Sequence, residues 1–124
     1  ILVVDDELSV LRLMGATLEA AGWHARTFGN PLLALACFRE APDDFDAVIT
    51  DQSMPDMTGA ELIETLHTLR PSLPVILCTG YSDGLDDAIA RRLGASRFFQ
   101  KPADMDELLA VLASLVDATE QSRP

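Results

Sequence analysis

Carboxylates, a hydroxyl and an ammonium group stand at the ends of short apolar runs in this sequence. Asp5 and Asp6 follow the first run, Asp51 and Thr79 end two later runs, and Lys101 follows the last. Each has an ordinary explanation alone, because an Asp often caps a helix and a Thr often fills a strand. Gathered by the fold, the three Asp side chains must bind a cation or raise a pKa, because two carboxylates about 4 Å apart repel by roughly 4 kcal/mol at an effective dielectric near 20.

Such a group of carboxylates predicts a bound divalent cation. Mg²⁺ relieves the repulsion, takes one or two carboxylates and keeps positions for water and phosphate oxygens. The ammonium group of Lys101 and the hydroxyl of Thr79 are suited to phosphoryl oxygens. One carboxylate is then free to act as a nucleophile that forms an aspartyl phosphate. These residue types therefore indicate Mg²⁺-dependent phosphoryl chemistry.

Five short β-rich runs, separated by segments of helical periodicity, must position these residues. The runs are Ile1–Val4, His24–Phe28, Ala47–Asp51, Val75–Thr79 and Arg97–Gln100. Their starts are 22 to 28 residues apart, which leaves room for one helix between successive strands. This pattern predicts an α/β fold with a single doubly wound, five-stranded parallel sheet, (βα)5. Ligands bind such sheets at the carboxyl ends of the strands, where the polar residues are expected to meet.

Cap residues indicate where the helices begin and end. Asn30, Thr58 and Asp104 each offer a side-chain oxygen to free backbone amides, which predicts three helix starts. Gly22 and Gly94 fall where two helices should stop, since glycine accepts the left-handed conformation common at that point.

These motifs, in this order, resemble the receiver domains of two-component response regulators and hybrid histidine kinases. The match covers essentially the whole chain, through the segments LVVDDE, DQSMPDMTG, LCTG and FFQKP. The resemblance implies that Asp51 accepts a phosphoryl group from the phosphohistidine of a histidine kinase or a histidine phosphotransfer protein. It also implies the flavodoxin-like strand order 2-1-3-4-5. The receiver domain would cover residues 1–119, with residues 120–124 as a polar tail or the start of a linker.

The resemblance assigns the metal ligands as well. Asp5 and Asp6 would hold Mg²⁺ directly or through water, together with Asp51. The backbone carbonyl of Ser53 would supply a further ligand. The domain would then catalyse its own phosphorylation and dephosphorylation, so it is an enzyme only in a limited sense.

The remaining implied roles concern recognition of the phosphoryl group and the resulting switch. Thr79 would bind the phosphoryl group and Lys101 would pair with it. Phe98 lies three residues before Lys101, at the aromatic switch position of the family, and is expected to turn inward as Thr79 moves. It lacks the hydroxyl of the commoner Tyr, so this switch would work by packing alone.

Two other function classes are compatible with parts of the pattern. A Mg²⁺-dependent phosphatase of the haloacid-dehalogenase type also forms an aspartyl phosphate. It requires a second Asp as general acid two residues after the nucleophile, where this chain has Ser53. A flavin or nucleotide binder of the same fold requires a phosphate-binding loop after the first strand, where three consecutive acids would repel the phosphate.

Composition narrows the choice of partners. The 124 residues include 20 acidic and 9 basic side chains, a formal charge of −11, which disfavours direct binding of nucleic acid. No apolar stretch approaches the roughly 18 residues of a membrane span, so we expect no membrane insertion by this domain. The two cysteines, Cys37 and Cys78, lie in apolar runs without metal-type spacing, which favours a reducing, cytoplasmic setting. The resemblance also allows a homodimer through the face formed by the fourth helix, fifth strand and fifth helix.

Overall fold

The structure, a computed structural model, describes residues 1–80 and 86–121, with side chains as far as residue 119. In these residues five strands and five helices alternate along the chain. The strands are β1 (Leu2–Val4), β2 (Arg26–Phe28), β3 (Val48–Asp51), β4 (Val75–Thr79) and β5 (Arg97–Gln100). The helices are α1 (Leu8–Ala20), α2 (Pro31–Glu40), α3 (Gly59–Leu69), α4 (Asp87–Arg92) and α5 (Met105–Gln121), with a 3-10 turn at Pro42–Asp44. The predicted tail begins within α5, and its last three residues lie outside the described part of the chain.

The strands form one sheet of order β2-β1-β3-β4-β5, and every neighbouring pair is parallel. This confirms the predicted fold and strand order. The three central strands are buried along their whole length, as their continuous apolar sequences require, whereas β2 is an exposed edge strand. Because the strands are parallel, their carboxyl ends lie at one edge of the sheet, which is called the site edge below.

Alternating side chains along each central strand separate the core into two layers. Val48 and Leu77 pack with α2 and α3 on one face of the sheet. Ile49 and Ile76 pack with α1 and α5 on the other face. Successive residues of a strand point to opposite faces, so each central strand is held from both sides. The strand ends at the site edge therefore have rigid supports.

The strands end where the sequence predicts, but three of them start one or two residues later. At β2 the Arg26 amide donates to the Ile1 carbonyl at 2.9 Å and begins the ladder with β1, whereas the Ala25 amide donates to the Glu19 carboxylate at 2.8 Å. The late starts lie at the edge of the sheet opposite the functional residues. They therefore leave the predicted site unchanged.

The helix caps follow the prediction. The side chain of Asn30 accepts two backbone amides at 2.8 and 3.4 Å, that of Thr58 accepts one at 3.1 Å, and that of Asp104 accepts one at 3.2 Å. Gly22 and Gly94 end their helices with φ of 96° and 103°, a region that strains residues with a side chain. Within the described residues no helix combines the length and apolarity needed to cross a bilayer.

Candidate functional site

Three carboxylates meet at the site edge. Asp5 follows β1, Asp51 ends β3, and one ligand atom from each of these and from Asp6 lies within 4.8 Å of the others. Asp5 and Asp51 are only 4% and 5% exposed, whereas Asp6 faces solvent. The predicted gathering of the three Asp residues is therefore present, with two of the charges held away from water.

Lys101 is the cation that faces this cluster. Its Nζ lies 3.0 Å from Asp5 Oδ2 and 3.1 Å from Asp51 Oδ1, so one ammonium group bridges two buried carboxylates. The Lys101 amide donates to the carbonyl of Thr79 at 2.7 Å, and the peptide bond to Pro102 is cis. The three carboxylates and the lysine sum to −3 + 1 = −2. The cluster therefore keeps an excess of negative charge that a divalent cation would balance.

Backbone amides fix the two buried carboxylates. Asp5 Oδ1 accepts the amide of Glu7 at 2.9 Å, and Asp51 Oδ1 accepts the amide of Gln52 at 2.9 Å. Each carboxylate thus receives an amide from the turn that follows its strand as well as the shared ammonium group. The side chains are held in place before any ligand arrives, which is the preorganisation that phosphoryl transfer requires.

The charge on Asp51 is costly in this setting. Burial, followed by the nearby charge of Asp5, raises the pKa of Asp51 to about 6, although hydrogen bonds from Lys101 and Gln52 act in the opposite direction. Partial burial lowers the pKa of Lys101. The contacts of Lys101 with the two carboxylates outweigh this effect and raise its pKa above the ordinary value. At neutral pH Asp51 is therefore mostly ionised, and it can act as a nucleophile.

Thr79 and Phe98 occupy neighbouring strands beside this cluster. Thr79 is buried at the end of β4, one residue after Cys78, the register partner of Asp51. Its hydroxyl donates to the carbonyl of Gly80 at 2.9 Å. Phe98 on β5 is half-buried and packs against the core layer on the α3 side of the sheet. Both lie on the predicted strands, Thr79 on β4 next to the strand of Asp51 and Phe98 on β5, one strand further away.

The structure thus brings Asp5, Asp6, Asp51 and Lys101 together by measured contacts. Ser53 lies in the loop after β3, two residues beyond Asp51, as predicted. An apolar hollow of about 380 Å³ opens beside the carboxylates, and both Asp51 and Lys101 line it. The two charged groups can therefore be approached from that side.

Two residues at this edge have no role in the sequence-based prediction. Gln52 takes part in four hydrogen bonds after β3, with Asp51, Cys78, Gly59 and Ala60, and the last two of these close the loop. A Cβ on Gly59 would lie 2.4 Å from the carbonyl oxygen of Asp51, so only glycine allows α3 to start this close to β3. A polar residue directly after a nucleophile, and a glycine at the first position of the next helix, are the signals that could have indicated them.

Comparisons with known proteins agree with this geometry. A protein-family model described as the response regulator receiver domain matches residues 1–113. The transcriptional regulatory protein ZraR of Klebsiella oxytoca is 37% identical over 98% of this chain, and the two-component response regulator ARR10 of Arabidopsis thaliana is 36% identical over 87% of it. The chain spans only 27% and 19% of the lengths of these two relatives.

A solved structure shows the same fold. A response regulator receiver domain protein from Clostridium thermocellum superposes with a TM-score of 0.93 and 27% identity, over 98% of this chain and 97% of its own. The haloacid-dehalogenase alternative is not favoured, because the family match and the described fold both point elsewhere. The chain belongs to the response regulator receiver domain family, whose members act in phosphorelay signalling.

Proposed function

We propose that Asp51 is the phosphoacceptor of this receiver domain and that it takes its phosphoryl group from a phosphohistidine on a histidine kinase or a histidine phosphotransfer protein. The observation that supports this most strongly is the Lys101 bridge between Asp51 and Asp5, within a cluster that keeps a net charge of −2. A receiver domain must hold its acceptor carboxylate ionised, oriented and open to a phosphoryl donor. The support for Asp51 is a pKa of about 6 that leaves it mostly ionised at neutral pH, its bonds to Lys101 and the Gln52 amide, and the hollow that it lines despite its small exposed area.

In the proposed step a carboxylate oxygen of Asp51 attacks the phosphorus of the phosphohistidine. The P–N bond breaks as the P–O bond forms, and the imidazole leaves as a neutral base after taking up a proton from solvent. Lys101 would neutralise charge on the phosphoryl oxygens, and the Thr79 hydroxyl would exchange the Gly80 carbonyl for one of them. That exchange would draw Thr79 toward the acceptor and leave room for Phe98 to turn inward.

Receiver domains generally bind Mg²⁺ at an acidic pocket, and this cluster has the chemistry that the ion prefers, because all its donors are carboxylate oxygens. We propose that Asp5, Asp6, Asp51 and the carbonyl of Ser53 hold it. When bound, Mg²⁺ would neutralise the charge that accumulates on the carboxylate and phosphoryl oxygens. The formal charge of −2 on the three carboxylates and Lys101 is consistent with one divalent ion.

Millimolar Mg²⁺ is expected to raise the melting temperature at neutral pH, because the ion binds the folded cluster and not the unfolded chain. At 100 times its Kd the gain is about 2.7 kcal/mol. Thermal melts with Mg²⁺ and with EDTA measure it. Asp6→Asn should reduce the shift, whereas Glu64→Gln, which removes an exposed acid on α3, should not. Coincident melts of the wild type with and without Mg²⁺ would contradict the metal assignment.

Acetyl phosphate tests the acceptor function without a kinase. The wild type is expected to gain one phosphoryl group in the presence of Mg²⁺, with acetate as the leaving group, and to gain none in EDTA. Intact mass spectrometry measures both. An unchanged mass of the folded, Mg²⁺-loaded protein would contradict the proposal.

The output of the switch is proposed to reside in a partner or a fused domain, including the arrangement found in hybrid histidine kinases. The relative from Klebsiella oxytoca is named a transcriptional regulatory protein, but the 124 residues of this chain carry a charge of −11, which disfavours direct contact with DNA. A homodimer through α4, β5 and α5 stays a prediction. A cytoplasmic setting fits the two cysteines, which are both free thiols.

A further inference from the structure

Gln52 closes the neck of the loop between β3 and α3. Its backbone carbonyl accepts the amide of Gly59 at 2.9 Å, and its side-chain Oε1 accepts the amide of Ala60 at 2.9 Å. These two amides belong to the first two residues of α3 and have no acceptor within the helix. Gln52 therefore caps α3 from the far side of the loop, with main chain and side chain together.

The same residue contacts the acceptor. The Gln52 amide donates to Asp51 Oδ1 at 2.9 Å and lies 3.0 Å from the carbonyl oxygen of Cys78 on β4. One residue thus links the acceptor carboxylate, the neighbouring strand and the first turn of α3. The absence of a side chain at Gly59 makes this close approach feasible, since a Cβ there would lie 2.4 Å from the Asp51 carbonyl oxygen.

We infer that Gln52 is a positioning residue for Asp51, and that its side-chain bond to Ala60 keeps the Gln52 amide on the acceptor carboxylate. Without that bond the backbone after Asp51 could rotate, and the amide would spend less time on Oδ1. The carboxylate would then sample orientations that are unproductive for attack on phosphorus. The inference rests on the proposed role of Asp51 as phosphoacceptor.

Two cap variants of the same helix separate positioning from stability. Gln52→Met keeps the approximate length of the side chain but removes the acceptor for Ala60. Thr58→Ala removes the neighbouring cap, the hydroxyl that accepts the amide of Glu61 at 3.1 Å, and it leaves the link to Asp51 intact. Both variants should weaken the start of α3, but only Gln52→Met should disturb the acceptor.

The measurement is the rate of phosphorylation by acetyl phosphate at saturating Mg²⁺, with amide hydrogen exchange as a second readout. Gln52→Met is expected to lower the limiting rate about tenfold, with the KM for acetyl phosphate unchanged, because misplaced reacting groups lower the rate of the chemical step. It should also accelerate exchange at Ala60. Thr58→Ala should keep the wild-type rate. Gln52→Glu, which retains the acceptor, should keep the slow exchange at Ala60.

Each outcome decides the matter. A wild-type limiting rate in Gln52→Met would overturn the inference while leaving the phosphoacceptor role of Asp51 in place. An equal loss of rate in Thr58→Ala would also overturn it, because Gln52 would then act only through the stability of α3. If Gln52→Met does not fold, Gln52→Glu decides. Fast amide exchange at Ala60 in that variant would overturn the inference, and slow exchange with the wild-type rate of phosphorylation would support it. A wild type that takes up no phosphate would remove both the inference and the proposed function.

Discussion

Asp51→Asn is expected to stabilise the metal-free protein by about 3 kcal/mol at pH 7. Burial and the charge of Asp5 raise the pKa of Asp51 from 3.8 to about 6, a difference of about two units, and each unit corresponds to about 1.36 kcal/mol. The ionised acceptor therefore destabilises the fold at neutral pH. An asparagine of the same shape removes this charge, so the free energy of unfolding should increase.

The gain should depend on pH in a defined window. Below about pH 4 the acceptor is protonated in both the folded and the unfolded chain, so variant and wild type should differ little. Between about pH 4 and 6 the unfolded chain ionises first, because the pKa is raised only in the folded state, and wild-type stability falls relative to the variant as the pH rises. Above about pH 6 the difference should stay constant.

Urea unfolding of both proteins in EDTA at several pH values measures this difference, from which titrations common to the two proteins cancel. A difference that does not change between pH 4 and 7 would contradict the electrostatic account of the acceptor. With saturating Mg²⁺ the stability advantage of Asp51→Asn over the wild type should disappear or reverse, because the variant lacks one of the proposed ligands.

Lys101→Met is expected to have the opposite effect on the metal-free protein, a loss of about 3 kcal/mol at pH 7. Lys101 is the only lysine in the sequence, and its side chain is 24% exposed while the two carboxylates it bridges are 5% and 6% exposed. Removing one member of a buried ion pair leaves an uncompensated charge, which is more costly than the absence of the pair. With all three carboxylates ionised the formal charge of the cluster would change from −2 to −3, so the variant should bind Mg²⁺ more tightly. Loss of the ammonium group also raises the pKa of Asp51, and protonation of that carboxyl offsets part of this gain.

Unfolding in EDTA and titration with Mg²⁺ measure the two effects separately. Arg12→Met is the matched control, since it removes the same charge and a similar length of side chain from an exposed position on α1. Arg12→Met should leave the free energy of unfolding in EDTA and the affinity for Mg²⁺ near the wild-type values. If Lys101→Met unfolds at the same urea concentration as the wild type in EDTA, the ammonium bridge does not hold the apo site together.

The parts of this molecule that the sequence predicts are those encoded by local pattern. Continuous apolar runs with helices between them determine a parallel sheet, and residues that follow such strands must share an edge. The order of the residues alone therefore places Asp5, Asp51 and Lys101 together, as the contacts of Lys101 confirm. Cap residues such as Asn30 and Thr58 bond to amides within one turn of the chain, so the sequence predicts them as well.

The parts that it does not predict depend on contacts between elements. Gln52 reaches Ala60 across a loop, and Gly59 is required only because α3 starts against the carbonyl of Asp51. The spacing of apolar residues does not predict such contacts between two elements. In the same way, the bond from the Ala25 amide to the Glu19 carboxylate joins the segment before β2 to α1, a contact that the residue types leave open.

The central claim is that Asp51 carries the phosphoryl group, and the most direct test is intact mass and peptide mapping after treatment with acetyl phosphate and Mg²⁺. Three proteins are compared: the wild type, Asp51→Asn, and Asp56→Asn as a control in the same loop, at a positive φ of 72° that asparagine tolerates. The wild type and Asp56→Asn should each gain one phosphoryl group, mapped to the peptide that contains residue 51, and Asp51→Asn should gain none. Persistence of one added phosphoryl group on Asp51→Asn would place the acceptor elsewhere and contradict the account.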